Sequence, residues 1–506
     1  MAINEDNTQF QAWRSKVDSL YSDEGSLKNA LGRNSNNSGR ALSYEQKVSQ
    51  LQSSMNDEKA ASEYSESLAG TNSIYQSLLE FYKSMFYMRY TITPTHNGKH
   101  SKNEVELSDE EFEKMYDEMV NVVDGINIET VFPSLIYNAY LTGKVFIYVD
   151  KDKVSGTLSS LILPRSYCKQ VFKTQFGSPI VSFDFSYFDD LLKVFAKNNE
   201  SLNLTINDIL ELFPDEFQQK YKAYQRNKAI GKWQVLDAKR STCVAANNTG
   251  LPAKMGADYG LLEYEKYKEI DLNRSEQELE KILVHQIPID AEGDLIMDID
   301  EINVIDKKMR SALRGAPHLR VLTTFGQTQL LELQKQRDKQ VTLSNNAIRN
   351  IYVGAGMNPN IFIGEDDDSL KISLKREKAN VWNIIQKLTL FYNICINNYY
   401  NWKPYQAQID LLPITIYDEN EMVTQYINNA GVGIGKLSAV VATGIKQKNI
   451  KDVSRVEKML DLENILVPLH SMHTTSDTPI DNNKDGAEKA DKPIEQSNDD
   501  GVKNEN

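Results

Sequence analysis

Two matched runs constrain this chain more than any other feature. Leu261–Ile287 and Gln327–Val353 are each 27 residues long and contain neither Gly nor Pro. As α-helices each would reach about 40 Å at 1.5 Å per residue. Between them, Pro288–Gly326 carries its own breakers: Pro288, Gly293, Gly315, Pro317 and Gly326. The pattern predicts a long helix, a small mixed module and a second long helix, a hairpin that holds a compact unit away from a body. Within the module, strands are expected at Leu295–Met297 and Leu319–Thr324, flanking a helix over about Glu301–Leu313. The second run meets Gly354, Gly356 and Pro359, then the acidic string Glu365, Asp366, Asp367 and Asp368. A third stretch without Gly or Pro follows, to Lys403.

At 506 residues the chain is long enough for several domains. Net charge is −14, of which the nine acids and four lysines after His473 supply −5. That balance argues against a protein that grips nucleic acid tightly, since phosphate contacts need Lys and Arg, but not against one past which DNA slides. Cys168, Cys243 and Cys395 are far apart and form no CxxC, which suits buried thiols in a reducing compartment. The start of the chain lacks the basic and apolar regions of a secretory signal. No apolar run approaches 18 residues, so no membrane span or membrane partner is expected.

Residues 1–70 are polar and read as a partly disordered arm, with short helices near Phe10–Leu20 and Tyr44–Leu51 and a folded body from about Ser73. Ile74, Leu78, Leu79, Tyr82, Met85 and Phe86 recur at helical spacing. Ser108 and Glu111 have the spacing of a capping box, and Phe112, Met115, Met119, Val120 and Val123 mark the buried face that follows. Pro133–Leu141 reads as a helix with Pro in its first turn. Val145–Val149 and Thr157–Leu163 read as a hairpin around Lys151–Gly156, Ile180–Phe185 as a third strand, Ile206–Leu212 as a short helix and Trp233–Leu236 as a strand. Asp418 and Glu421 repeat the cap spacing before a helix to Ala430; Gly431, Gly433 and Gly435 break it, and helices resume at Lys436–Thr443 and Val453–Leu462. From Thr474 there are no aromatics, so residues 471–506 read as a disordered acidic tail. The fold class expected is α+β, predominantly helical.

The order of these parts resembles the portal proteins of tailed double-stranded-DNA bacteriophages, over roughly residues 70–470. The segment Ile348–Asp368 (IRNIYVGAGMNPNIFIGEDDD) looks like a stem helix ending at a small-residue and proline break before a tunnel loop. Ser373–Asn401 resembles the long tunnel helix, Asp418–Ile445 the helix, Gly-rich turn and helix that follow, and Leu319–Phe325 the strand that leaves the clip. No single motif is diagnostic; the order carries the likeness. The resemblance implies wing (71–254 and 372–418), stem helices (255–287 and 327–353), clip (288–326), tunnel loop (354–371) and crown (419–470). It also implies a non-enzymatic homo-oligomeric ring, usually of twelve subunits, at one capsid vertex of the virion, assembled in the host cytoplasm. Such a ring passes double-stranded DNA during packaging and ejection and meets the major capsid protein, the terminase and a head–tail adaptor. A capsid adaptor or scaffold, or a terminase-type motor, are the alternatives; the motor would need a phosphate loop and an acidic strand that the sequence lacks.

On that layout Glu365, Asp366, Asp367 and Asp368 would line the channel and repel phosphates. The other reading is the solvated acidic start of a helix, where carboxylates suit the dipole. Lys335, Arg337, Lys339 and Arg349 are either weak DNA contacts or solvated charges. Asp290, Glu292 and Asp294, with Asp298 and Asp300, make either a docking edge of the clip or a solvated surface. Gly431–Lys436 (GVGIGK) is no phosphate loop: Ala430 stands where the first Gly is required and Leu437 where Ser or Thr is. The histidines form no ligand set, and no metal, cofactor or catalytic residue is expected. Apolar faces such as Trp382, Ile385, Leu388 and Phe391 are expected to leave a lone subunit partly uncovered.

Overall fold

The structure, a computed structural model, describes residues 44–96, 107–152, 156–173, 179–198, 206–211, 213–279, 281–287, 296, 298–312, 319–325, 337–363 and 368–462. The chain is predominantly helical with four small sheets among those residues. It divides into two units, 1–450 and 451–506.

The first unit begins earlier than the polar composition suggests. Helices α1 (Tyr44–Ser54) and α2 (Glu58–Thr71) are formed, and Leu51 and Ala61 are buried with Met55 and Tyr64 against them. Asn72 ends α2 and caps α3 (Ser73–Lys83), accepting hydrogen bonds from the Ile74 and Tyr75 amides. Strand β1 (Tyr90–His96) follows, then α4 (Asp109–Ile126), opened by the expected capping box of Ser108 and Glu111. Met119, Val120 and Val123 of α4 are buried, but Phe112 is exposed, one turn beyond the end of the packed stripe. Helix α5 (Ile128–Thr142) starts a turn before the expected boundary. Pro133 therefore lies in its second turn, where its missing N–H removes a helical bond.

Strands β2 (Lys144–Lys151) and β3 (Leu158–Leu163) form the expected hairpin, and β4 (Cys168–Lys173) pairs with β5 (Pro179–Asp184). Helices α6 (Ser186–Asn198), α7 (Ile206–Glu211) and α8 (Asp215–Arg226) precede β6 (Trp233–Val235) and β7 (Ser241–Ala245). The sheets have the orders β3–β2–β7 and β4–β5–β6, all antiparallel. Strand β2 is the wall between two cores: Val145, Ile147 and Val149 enter the larger one, while Phe146 and Tyr148 enter a second, aromatic core with Phe183, Phe188 and Phe217. Period-two alternation in a strand covered on both faces is the reason VFIYV reads as a continuous apolar run.

Helix α9 (Ala257–Leu279) corrects the expected first stem helix of 255–287. Lys281–Ile287 is instead strand β8, parallel to β9 (Leu319–Phe325), with α10 (Ile299–Ala312) as the connection. The sequence KILVHQI is rich in aliphatic and β-branched residues, and pairing with LRVLTTF satisfies its backbone. The intervening module is thus a βαβ unit that borrows its first strand from the run before it. The strand expected at Leu295–Met297 lies mostly outside the described residues.

Helix α11 (Arg337–Gly354), the short α12 (Asn360–Ile363) and the 32-residue α13 (Asp368–Tyr399) follow, then β10 (Tyr405–Leu411), which pairs antiparallel with β1. Ile385, Leu388 and Phe391 of α13 are buried within the subunit with Val381, Tyr392 and Ile396, and Trp382 is half-buried against them, so these residues are not the uncovered face expected. Leu390 and Ile394, one turn apart on the opposite side, are 65% and 47% exposed.

Helices α14 (Glu419–Gly431) and α15 (Lys436–Ala442) complete the unit. Asp418 does not cap α14: its carboxylate accepts from Thr415 N and Oγ1 and pairs with Lys378 at 2.5 Å. Arg89 anchors this region to β1, donating to the Ala442 carbonyl at 2.5 Å and to Glu419 at 2.6 Å. Of the second unit, only the exposed helix α16 (Ile450–Met459), whose first residue closes the preceding unit, and the residues up to 462 are described.

Candidate functional site at the root of the helix pair

Helices α9 and α11 run antiparallel and meet where α9 begins and α11 ends. Small residues allow the approach. A Cβ on Gly354 would lie 2.3 Å from the Gly256 carbonyl oxygen, and one on Gly260 would lie 2.7 Å from the Ile351 amide nitrogen. Any larger side chain would push the backbones apart. Helix α11 then stops in a Schellman turn: Gly356 has φ +72°, Met357 N–H donates to the Tyr352 carbonyl at 2.8 Å, and Gly356 N–H to Val353 at 2.9 Å.

Beside this crossing one buried ammonium gathers four parts of the chain. Lys254, just before α9, donates to the Ala355 carbonyl at 3.1 Å and lies 3.5 Å from Glu377 Oε2 on α13. Glu377 is itself buried and accepts from Tyr82 of α3 at 2.7 Å. The Lys254 ammonium stands 4.6 Å from the centre of the Tyr82 ring, which stacks on Tyr140 of α5 at 4.1 Å. Burial lowers the Lys254 pKa against the pull of Glu377, and burial raises both tyrosines. One cation therefore holds both Ala355 and Glu377, the two ends of the segment that carries the acidic string.

A second buried charge-bearing group lies one turn along. Asp258, the second residue of α9, is fully buried, and neither carboxyl oxygen has a hydrogen-bond partner. Burial pushes its pKa well above the ordinary carboxylate value, because nothing in its surroundings compensates the charged form. Tyr64 and Tyr75 face it from α2 and α3; Tyr64 is pushed up to about 12, chiefly by burial, and Tyr75 shares a 2.7 Å hydrogen bond with Ser65.

Of the residues singled out in the sequence, Asp368 opens α13, and Arg337, Lys339 and Arg349 lie on α11, with Arg349 exposed. Glu365, Asp366, Asp367, Lys335, Asp290, Glu292 and Asp294 lie outside the described residues. Sequence reasoning did not single out Lys254, Asp258 or Glu377. The available signal was the spacing of Gly256 and Gly260, four apart at the helix start, which marks a close crossing. Cys168, Cys243 and Cys395 are buried and none is in a disulfide, and burial pushes the last two up to about 11 and about 12. Among the described residues no three His, Cys, Asp or Glu side chains gather as a metal set, and no helix is long and apolar enough to cross a membrane.

Comparison with models of known protein families and with curated proteins returned no match.

Proposed function

We propose that this chain is the subunit of a ring that forms the DNA channel at a capsid vertex, as in the portal proteins it resembles. The observation that carries the reading is the helix pair. Two antiparallel helices packed through glycine at their roots enclose a small parallel βαβ unit, and a short break leads from them into a 32-residue helix. That order suits a stem carrying a clip, followed by a tunnel loop and tunnel helix. On this reading α9 and α11 are the stem, β8–α10–β9 belongs to the clip, and the ends of the tunnel-loop segment are tied to Lys254. The work asked of the chain is positional: it holds a string of carboxylates at a fixed place so that passing phosphates are repelled and do not adhere.

The test is direct imaging of the purified protein with light scattering at micromolar concentration. A closed ring with a central hole is expected. A monodisperse monomer with no rings would overturn the proposal.

A further inference from the structure

We infer that residues 444–450 are a displaceable strap, which seals the free edge of β1 and lifts from it while the rest of the fold stays closed. The inference stands apart from the ring reading, since it rests only on contacts within one subunit.

The two-stranded sheet of β1 and β10 has two outer edges, and side-chain amides close both. Leu412 N–H donates to the Arg89 carbonyl at 2.8 Å. By the alternation of an antiparallel pair, Thr91 and Thr93 then bond to β10, while Tyr90 and Ile92 turn their amides and carbonyls outward. The outer edge of β10 is closed from helix α13: the Asn397 side chain accepts from Ala407 N–H at 2.9 Å, and that of Asn393 from Ile409 N–H at 2.9 Å. Those amides ride on a helix fixed in the large core. The edge of β1 is closed at Ile92 by Gln447. Its Oε1 accepts from Ile92 N–H at 2.7 Å, and its Nε2 donates to the Ile92 carbonyl at 2.9 Å and to the Tyr116 hydroxyl of α4.

Gln447 rides on a much weaker carrier. Gly444, with φ +101°, turns the chain out of α15, and Gln447–Asn449 form a single 3-10 turn. Arg89 holds the Ala442 carbonyl, so the tie on α15 ends just before that turn. From Gly444 to Ile450 only Gln447 is buried. Lys446 pairs with Glu129 of α5 at 2.8 Å and Lys448 with Asp124 of α4 at 3.1 Å, and all four side chains are partly exposed. Exposed pairs hold weakly and are screened by salt. The fit beneath is incomplete: a cavity of about 30 Å³ lies between the strap and Tyr90, Ile92, Val120, Asp124 and Glu129. A segment held by one buried amide and two screened ion pairs opens more readily than the core it covers. It is also the last segment of the first unit, so lifting it frees the chain that follows from β1.

The test is residue-resolved hydrogen exchange on the full chain. The Ile92 amide bonds to the strap, and those of Thr91 and Thr93 bond to β10, so neighbours in one strand report separately on strap and sheet. The Thr443 amide, bonded to the Ala439 and Val440 carbonyls, reports on α15. Raising salt from about 0.05 to about 0.5 M is expected to speed exchange at Ile92 by about threefold and to leave Thr91, Thr93 and Thr443 unchanged. Lys446→Gln/Lys448→Gln keeps Gln447 in place and should speed Ile92 by about threefold to tenfold at low salt, with the salt response gone. Lys446→Arg/Lys448→Arg should restore native exchange. Both lysines are exposed, so circular dichroism of either variant should match the native protein. Ile92 exchange that rises only together with Thr91 and Thr93 would mean that strap and sheet open as one, and would overturn the inference. An Ile92 rate indifferent to salt and to the lysine variants would overturn it too, as would Thr443 losing protection in step with Ile92, which would make the strap part of α15.

Discussion

The Lys254–Glu377 pair gives the sharpest energetic prediction. Both groups are buried, and their mutual distance is 3.5 Å. Glu377→Gln keeps the shape and leaves Tyr82 an oxygen to donate to, but it strands the ammonium with only the Ala355 carbonyl. Removing one partner of a buried pair costs about 3–5 kcal/mol, because the remaining charge is uncompensated. Lys254→Met should cost a similar amount by stranding the carboxylate. The double variant removes both charges while keeping packing volume, and should lie within about 1–2 kcal/mol of the native protein, since apolar replacement of a whole buried pair is often near neutral. The two single losses should therefore be strongly non-additive. Chemical denaturation of the four proteins supplies the cycle, and hydrogen exchange of amides in 355–377 supplies the local readout. A Glu377→Gln loss below about 1 kcal/mol, or a double variant as unstable as the sum of the singles, would refute the claim that this pair is a buried, mutually dependent clamp.

Three further outcomes are expected. Gly354→Ala should destabilise by about 1–3 kcal/mol, as overpacking does, because its Cβ would press on the Gly256 carbonyl; Gly70→Ala in α2, where a Cβ meets nothing within 4 Å, should be neutral or slightly stabilising in the same thermal melt. Asp258 binds its proton more tightly folded than unfolded. Its contribution is therefore fully present below the unfolded pKa, near 4, and is lost as pH rises toward the raised folded value, by up to about 1.4 kcal/mol per pH unit. Asp258→Asn should flatten that slope in melts taken from pH 4.5 to 8. Replacing Asp366, Asp367 and Asp368 with Lys should leave assembly intact and raise affinity for a short duplex at low salt; unchanged affinity would mean that these acids do not face DNA.

Local signals in the sequence were legible where one principle acted alone. The capping box at Ser108, the β2–β3 hairpin and the Gly-rich break before Lys436 all lie close to where spacing puts them. The errors arose where tertiary contacts decided. The run ending at Ile287 has no breaker between Leu279 and Lys281, yet a parallel partner nearly 40 residues later turns its end into a strand. The Asp418 carboxyl has the spacing of a cap, but Thr415 and Lys378 hold it elsewhere. Helix α13 is apolar on two sides, and the sequence could not say which stripe the subunit itself covers. Lys254 and Glu377 lie 123 positions apart, so no local pattern could pair them.

The buried pair also bears on how the segment between α11 and α13 can move. An apolar junction at this place would resist separation but tolerate sliding, since hydrophobic contact has no direction. An ammonium that bonds the Ala355 carbonyl and faces Glu377 is different, because displacement of either end must break a contact between desolvated polar groups. Such a junction has separate bonded arrangements and no continuous range between them. The glycine crossing acts in the same sense, because backbones already in contact cannot approach further and α9 cannot roll on α11 without lifting Gly256 from Gly354. A force on the acidic string would therefore reach α3 and α5, through Tyr82 and Tyr140, only when it was large enough to break the clamp. Below that threshold Ala355 and Glu377, the two tied ends of the segment, would keep their places.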